Sequence, residues 1–329
     1  MTVNITIIGL GQIGGSIGLA LGEHTQKLTR TGHDKDVSIA RQAEKVGAVD
    51  KVAFNLISAV SDADLVILAI PLDQIQDTLE LIARDLKTGA VVMDTGPVKE
   101  QVTHWAIDCL PEGCYYIGLT PVINPNYLHG VGAGLQAAQA DLFHDGLVAI
   151  ASPPNTSSEA IRLATDLVGL LGASPFFADI LEIDGLMAAT HLLPQIMAAS
   201  LINATVDQPG WREAKKIAGR VYAGVTSSLL SENEMKSLGA TAVLGRKNVV
   251  RVLDNLLAVL QSFRDCIDQE DKISLDEMFE RAIQGRAQWW VQRQAANWKA
   301  EEMPVSEVPT SGDMLGRLVG IRKKPKPQK

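Results

Sequence analysis

The fold expected from this sequence is α/β: an N-terminal Rossmann-type parallel sheet followed by a C-terminal all-helical domain. Three observations predict it. From residue 3 to about 178, short β-branched runs alternate with helical segments, the signature of a largely parallel sheet with helices on both faces. The first run, ITIIG, passes through a G-x-G-x-x-G spacing into the apolar helix IGLAL, the context that gives this spacing predictive weight. After about residue 179 the strand-like runs cease and helix follows helix.

In the opening unit, Gly9 makes the tight turn, Gly11 lets the backbone approach a pyrophosphate, and Gly14 allows the helix to pack close on the strand. With Leu10, Gln12 and Ile13 these glycines form the expected dinucleotide loop, the anion resting on N–H groups that open the helix. The second strand, KLTRTGHD, ends at Asp34, where a carboxylate takes the adenosine ribose hydroxyls and repels a 2′-phosphate. NAD is therefore expected, with NADP possible because His33 and Lys35 flank the acid; a helix cap is the alternative role for Asp34.

The next strands, DLVILAIP and AVVMDTG, are nearly continuous in apolarity and so buried on both faces. Ile70, Pro71 and Thr95 close them at the carboxyl edge, where open parallel sheets bind their ligands, and are assigned to the cofactor site. Pro71 and Pro97 open the following helices, a position where a missing N–H costs nothing. Lys99 is either a cation that reaches substrate or cofactor, or a solvated lysine at a helix start. CYYIGL, LVAIAS and ASPFFAD complete the expected sheet.

In the helical half, Ile183 to Val206 is rich in Leu, Met and Ala, and capping-box spacings occur at Ser231-x-x-Glu234 and Ser274-x-x-Glu277. Between Lys247 and Asp268, apolar residues at 249, 253, 256, 257, 260, 263 and 267 mark one helical face, which is either internal core or a dimer seam. Residues 299–329 are rich in Pro, Gly and charge and are expected to form a mostly disordered tail with a basic end.

Composition narrows the function. With 329 residues, 46% apolar and 21% charged, the chain is long enough for two domains. A formal charge of −8 and a pI near 5.3 argue against nucleic-acid binding and for a small-molecule partner. No basic leader precedes the first strand, and no stretch approaches the ~18 to 20 uninterrupted apolar residues of a membrane span, so cytoplasmic residence without membrane contact is expected. Cys109, Cys114 and Cys266 form no paired motif, and no metal site is expected.

On these segments the chain resembles the prephenate and arogenate dehydrogenase family, NAD(P)-dependent enzymes of tyrosine biosynthesis. The resemblance spans about residues 4 to 270 and rests on GLGQIGGSIGLAL, GHDKD, ADLVILAIPLDQI, VVMDTGPVK and EIDGLMAATHLLPQIMAASL. It implies an NAD(P)-binding domain over 1–178, a helical substrate and dimerisation domain over 179–298, and a homodimer formed through the latter. It further implies hydride transfer from the hydroxyl-bearing ring carbon of a cyclohexadienol to nicotinamide, with loss of the ring carboxylate as CO2.

Matched residue by residue, the family's Gly-x-His-Pro motif falls on Gly118-Leu119-Thr120-Pro121, which puts Thr120 at the proton-handling position. The serine of the family's strand-end motif falls on Pro97, two histidines of its helical motif on Ile183 and Gln195, and a carboxylate-binding arginine near Ala223. Thr120 is thus the catalytic position by resemblance, and Pro97 and Gln195 are substrate-binding positions. Replacement groups are His191, His129 in the loop NPNYLHGVGAG, Tyr127 and Lys99, with Arg212, Lys215, Lys216, Arg220 and Arg246 as either anion clamps or a solvated face. Two functions stay open: an NAD-dependent oxidoreductase acting on prephenate, arogenate or an altered cyclic or hydroxy acid, and a non-catalytic NAD-binding homologue serving as a sensor or partner subunit. A reductase of the β-hydroxyacid class is a third.

Overall fold

A computed structural model of the chain describes residues 2–26, 28–130, 132–229 and 232–296, without the side chains of 232–236. The expected tail and the capping box at Ser231 lie outside the described residues. The chain divides into two compact units, Met1–Ala282 and Ile283–Lys329.

Within the first unit, one eight-stranded sheet has the order β3-β2-β1-β4-β5-β6-β7-β8. The strands are β1 (Val3–Ile8), β2 (Leu28–His33), β3 (Lys51–Val52), β4 (Leu65–Leu68), β5 (Val91–Asp94), β6 (Tyr115–Val122), β7 (Leu147–Ala151) and β8 (Ser174–Phe177). Neighbours from β3 to β6 run parallel, β7 is antiparallel to β6, and β8 is parallel to β7. The sequence reading passes over β3, because two residues offer no alternation to read.

Side-chain alternation along each strand divides the sheet into two faces. Ile5, Ile7, Leu65, Ile67, Val91, Met93, Ile117 and Leu119 pack on one face against α1 (Gln12–Ala20), α2 (Val37–Lys45) and, further along, α6 (Ser158–Leu170). Ile8, Val66, Leu68, Val92 and Tyr116 pack on the other against α3 (Leu56–Val60), α4 (Ile75–Ile82) and α5 (Lys99–Cys109). Asp94, Gly118 and Thr120 continue this second face to the carboxyl edge, where apolar packing gives way to polar groups.

The helical half begins with α7 (Ile180–Met187), passes through a π turn at Ala188–Leu192 and continues as α8 (Leu193–Thr205). Pro194 accounts for the widened turn: it has no N–H for the carbonyl four residues back, and the ring crowds that carbonyl. The sequence reading expects no membrane span anywhere in the chain, since no stretch approaches ~18 to 20 uninterrupted apolar residues. As one 26-residue helix, Ile180–Thr205 is long and apolar enough on average to cross a membrane. Here Ile183 packs on Ala149 and Ala151 of β7, and Ala188 and Leu192 pack with Val249 and Val252.

The remaining helices are α9 (Trp211–Ile217), α10 (Arg220–Thr226), α11 (Glu232–Leu244), α12 (Arg246–Asp268) and α13 (Lys272–Ala295). The expected cap at Ser274 is corrected: α13 starts earlier, and Asp271 accepts the Ser274 backbone N–H at 3.1 Å. The second unit opens within α13 and carries its own aromatic cluster, the Arg286 guanidinium lying 4.8 and 4.9 Å from the ring centres of Trp289 and Trp290.

Candidate functional site

The glycine loop joins β1 to α1 and is shaped by close approach. A Cβ on Gly14 would lie 1.9 Å from the Gly9 carbonyl oxygen, and one on Gly9, whose φ is +89°, would lie 2.4 Å from the Ala69 carbonyl oxygen at the end of β4. Gly11 differs: among the described residues, and apart from its own chain neighbours, no atom lies within 4 Å of the place its Cβ would take. That open space adjoins the first turn of α1, which has neither a side-chain cap nor an acidic residue. Free N–H groups beside an open, side-chain-free approach are what a diphosphate requires.

Asp34 stands beside this loop, one carboxylate oxygen accepting from Leu10 N–H at 2.9 Å and the other from Asp36 N–H at 2.9 Å. The alternative role as helix cap is corrected, since Asp36 caps α2 by accepting from Ser38 N–H at 2.8 Å. Of the two flanking bases, His33 is buried and its Nδ1–H donates to the Ala53 carbonyl at 2.9 Å, so its ring is committed to the fold. Lys35 is exposed. Ile70, Pro71 and Thr95 are half-buried at the carboxyl ends of β4 and β5, with Thr95 N–H donating to the Leu68 carbonyl at 3.0 Å.

A segment that sequence reasoning missed crosses the start of α1. Leu135 is buried against it, and a Cβ on Gly15 would meet Leu135 Cδ1 at 2.8 Å and Ala138 Cβ at 3.0 Å. Gln139 N–H donates to Ser16 Oγ at 3.0 Å, and Gln12 Nε2 donates to the Ala137 carbonyl at 3.4 Å. The only signal available in the sequence was the second glycine of the Gly14-Gly15-Ser16 run, which the fingerprint itself does not require.

At the ends of β5 and β6 lies a buried charged cluster. Lys99 is 0% exposed, so the solvated alternative is excluded; its Nζ donates to Asp94 Oδ2 at 2.8 Å and to the Asp94 carbonyl at 3.3 Å. Asp94 also accepts from Tyr116 Oη at 2.6 Å and from Gly96 N–H at 2.7 Å. Burial lowers the Lys99 pKa from the ordinary lysine value, against the opposing pull of Asp94. Burial and then the Asp94 charge push the Tyr116 hydroxyl well above 10.0. Gly118, paired with Asp94 in the sheet, leaves room for the lysine: its Cβ would sit 2.7 Å from Lys99 Cδ, so a side chain there would force Lys99 to shift.

Asp184, on α7, reaches into the same region. Its carboxylate accepts from the backbone N–H of Lys99 at 2.5 Å and of Glu100 at 3.0 Å, which makes it the cap of α5 from 85 residues away. Burial raises its pKa above 3.8, the two amides and Lys99 offsetting this in part.

Thr120 follows Gly118 on the same face; it is 4% exposed, and its hydroxyl has no hydrogen-bond partner among the described residues. Pro97 is half-buried in the loop between Asp94 and Lys99. His191 lies in the π turn, surface-accessible yet crowded enough that desolvation lowers its pKa below 6.5. Gln195 donates through Nε2 to the His191 carbonyl at 3.0 Å. His129 lies on an exposed turn, and Tyr127 donates its hydroxyl to Asp141 Oδ1 at 2.5 Å. Arg212, Lys215, Lys216, Arg220 and Arg246 are exposed, and Glu213 lies 3.8 Å from both Arg212 and Lys216.

Residues 17–175 match the family described as prephenate dehydrogenase, nucleotide-binding domain. The chain is 27% identical over 287 residues to prephenate dehydrogenase of Bacillus subtilis (strain 168), covering 86% of this chain and 75% of that protein. It is likewise 27% identical over 293 residues to cyclohexadienyl dehydrogenase of Zymomonas mobilis, covering 87% and 96%. Among solved structures, prephenate dehydrogenase from A. aeolicus in complex with hydroxyphenyl propionate and NAD+ superposes with a TM-score of 0.78 at 18% identity, over 88% of this chain and 98% of that one. At that identity the superposition shows a shared fold.

Proposed function

We propose that the chain is a member of the prephenate dehydrogenase family, whose nucleotide-binding domain its residues 17–175 match, and that it is an NAD-dependent dehydrogenase of a cyclohexadienyl or related carboxylic acid with an altered proton-handling site. The observation that carries the cofactor half is the open space at Gly11 beside the uncapped start of α1, with Asp34 adjoining. Gly9, Leu10, Gly11, Gln12, Ile13 and Gly14 would hold the diphosphate, Asp34 the adenosine ribose, and Ile70, Pro71 and Thr95 the nicotinamide side. When bound, the nicotinamide supplies the hydride acceptor. Asp34 favours NAD over NADP, because its carboxylate would repel a 2′-phosphate.

On the substrate side, the Thr120 hydroxyl, which has no partner among the described residues, would hydrogen-bond the oxygen of the reacting carbon. A threonine hydroxyl orients that oxygen but does not store its proton. His191, whose lowered pKa leaves its ring neutral above about 6.5, is the nearest thing to a replacement acceptor in the helical half; His129 is the second candidate. Lys99 contributes charge from behind, since its ammonium is held on Asp94. The buried charges of the cluster are thus two carboxylates and one ammonium, which leaves substrate carboxylates to be anchored by exposed cations such as Arg246 or Arg220. Pro97 and Gln195 would line the substrate space.

The same absence of a titratable partner for Thr120 favours the second reading, a coenzyme-binding homologue without turnover. One experiment divides them. The purified chain is titrated with NADH and NADPH by fluorescence, then assayed for NADH formation with prephenate and with arogenate. Turnover that disappears in His191→Ala or His129→Ala identifies the acceptor. Tight NADH binding with no turnover on either acid, unchanged in Thr120→His, supports the sensor reading. Absence of binding to either coenzyme refutes both.

A further inference from the structure

The loop Thr95–Val98 connects β5 to α5 at the site proposed above, and buried carboxylates hold it from both ends. At its start, Asp94 accepts from Gly96 N–H at 2.7 Å and from Lys99 Nζ at 2.8 Å. At its far end, Asp184 accepts the Lys99 and Glu100 N–H groups at 2.5 and 3.0 Å. Val98, at the local cap position of α5, has no side-chain hydrogen bond, so the helix start relies on a residue of α7. The only segment between the two anchors carries Thr95 and Pro97, one assigned to coenzyme and the other to substrate.

We propose that Asp184 is a positioning residue for the reaction: its carboxylate locks the β5–α5 loop to the helical half, so that the loop's coenzyme and substrate sides are held in one register. The inference rests on the dehydrogenase reading of this site. A carboxylate retained for stability alone would be expected to gain from its surroundings. Burial instead raises the Asp184 pKa, so the ionised form is held at a cost to the fold. Its neighbour Ile183 takes the apolar contact with β7, which leaves Asp184 free of that packing duty.

The test uses the full chain with Asp184→Asn, which keeps an oxygen that accepts one of the two N–H groups, and Asp184→Ser, whose shorter side chain draws its oxygen back from both. Hydrogen–deuterium exchange of peptides covering 95–102 is compared with peptides covering 9–16, NADH affinity is titrated, and kcat and KM are measured with the acid that the wild type oxidises. Expected are faster exchange confined to 95–102, NADH affinity within about twofold of wild type, and kcat at least tenfold lower with KM changed less than threefold. Unchanged exchange at 95–102, or wild-type kcat in either variant, overturns the inference. So does loss of NADH binding together with folding, because that assigns Asp184 to the fold alone. If the wild type binds NADH without turnover, the dehydrogenase reading fails on its own, and the exchange data still decide whether Asp184 holds the loop.

Discussion

Lys99 shows how much of this site turns on single side chains. Its ammonium is fully buried and bonded to Asp94, which also holds Tyr116 and Gly96. Replacing one member of a buried ion pair strands the other charge, so Lys99→Met is expected to lower stability by about 3–5 kcal/mol, read as a shift in the denaturant midpoint. The pH dependence has a definite sign. Burial lowers the folded-state pKa of Lys99 below 10.5, so between that lowered value and 10.5 the unfolded chain binds more protons and stability from this group rises with pH. That rise should vanish from the Lys99→Met titration of stability against pH. Gly118→Ala forces a methyl against the pinned Lys99 chain and is expected to cost about 1–3 kcal/mol by thermal or denaturant melts. A Gly118→Ala protein as stable as wild type would mean that Lys99 yields easily. The sequence displayed Lys99 and Gly118 but not their contact, because nothing in a local pattern says that a lysine at a helix start turns inward.

Between elements, the informative case is the segment around Leu135 that crosses the start of α1. It is tied there by Gly15, Ser16 and Gln12, all next to the expected diphosphate position. Gly15→Val would push Leu135 and Ala138 off the helix, and NADH affinity is expected to fall about tenfold, or about 1.4 kcal/mol, in a fluorescence titration. Unaltered affinity would show that this segment plays no part in coenzyme binding. The π turn teaches a related lesson. Pro194 was visible in the sequence, but a proline within an apolar helical run reads equally as a stop or a kink. The structure resolves it as a widened turn within one continuous helix, with His191 on the turn. Elements marked by compact apolar runs, such as β1, β4 and β5, were legible from residues alone. β3 and the start of α13 were not, the first for its brevity and the second because Asp271 and Ser274 both satisfy a capping pattern.

In the whole molecule, apolar surface is distributed unevenly. Only 17% of the most apolar window of the Ile180–Thr205 helix is buried. On α12, Val249 and Val252 are buried, whereas Leu257, Leu260 and Ile267 further along are 60%, 50% and 61% exposed. The helical face read from the sequence is therefore core at Val249, half-buried at Leu253, Leu256 and Phe263, and open at Leu257, Leu260 and Ile267. Exposed apolar area on this scale is characteristic of an association surface, and a second copy of the chain is the proposed occupant. Sedimentation velocity is expected to give a dimer at micromolar concentration, shifted toward monomer by Leu257→Glu combined with Leu260→Glu. A wild-type chain that sediments as a monomer would remove the dimer from the proposal.

The sequence by itself determined the largely parallel character of the sheet, though not the antiparallel β7, together with the glycine turn and the acid at the end of β2, since each rests on residues within a few positions of one another, where spacing and periodicity carry the physics. Tertiary structure alone decided that Lys99 is an ion-paired core residue, that Asp184 caps a helix 85 residues away, and that the Thr120 hydroxyl has no partner among the described residues. Those outcomes depend on which distant groups meet in a low-dielectric interior, where the energy of a charge is set by its partners and its burial rather than by its neighbours along the chain.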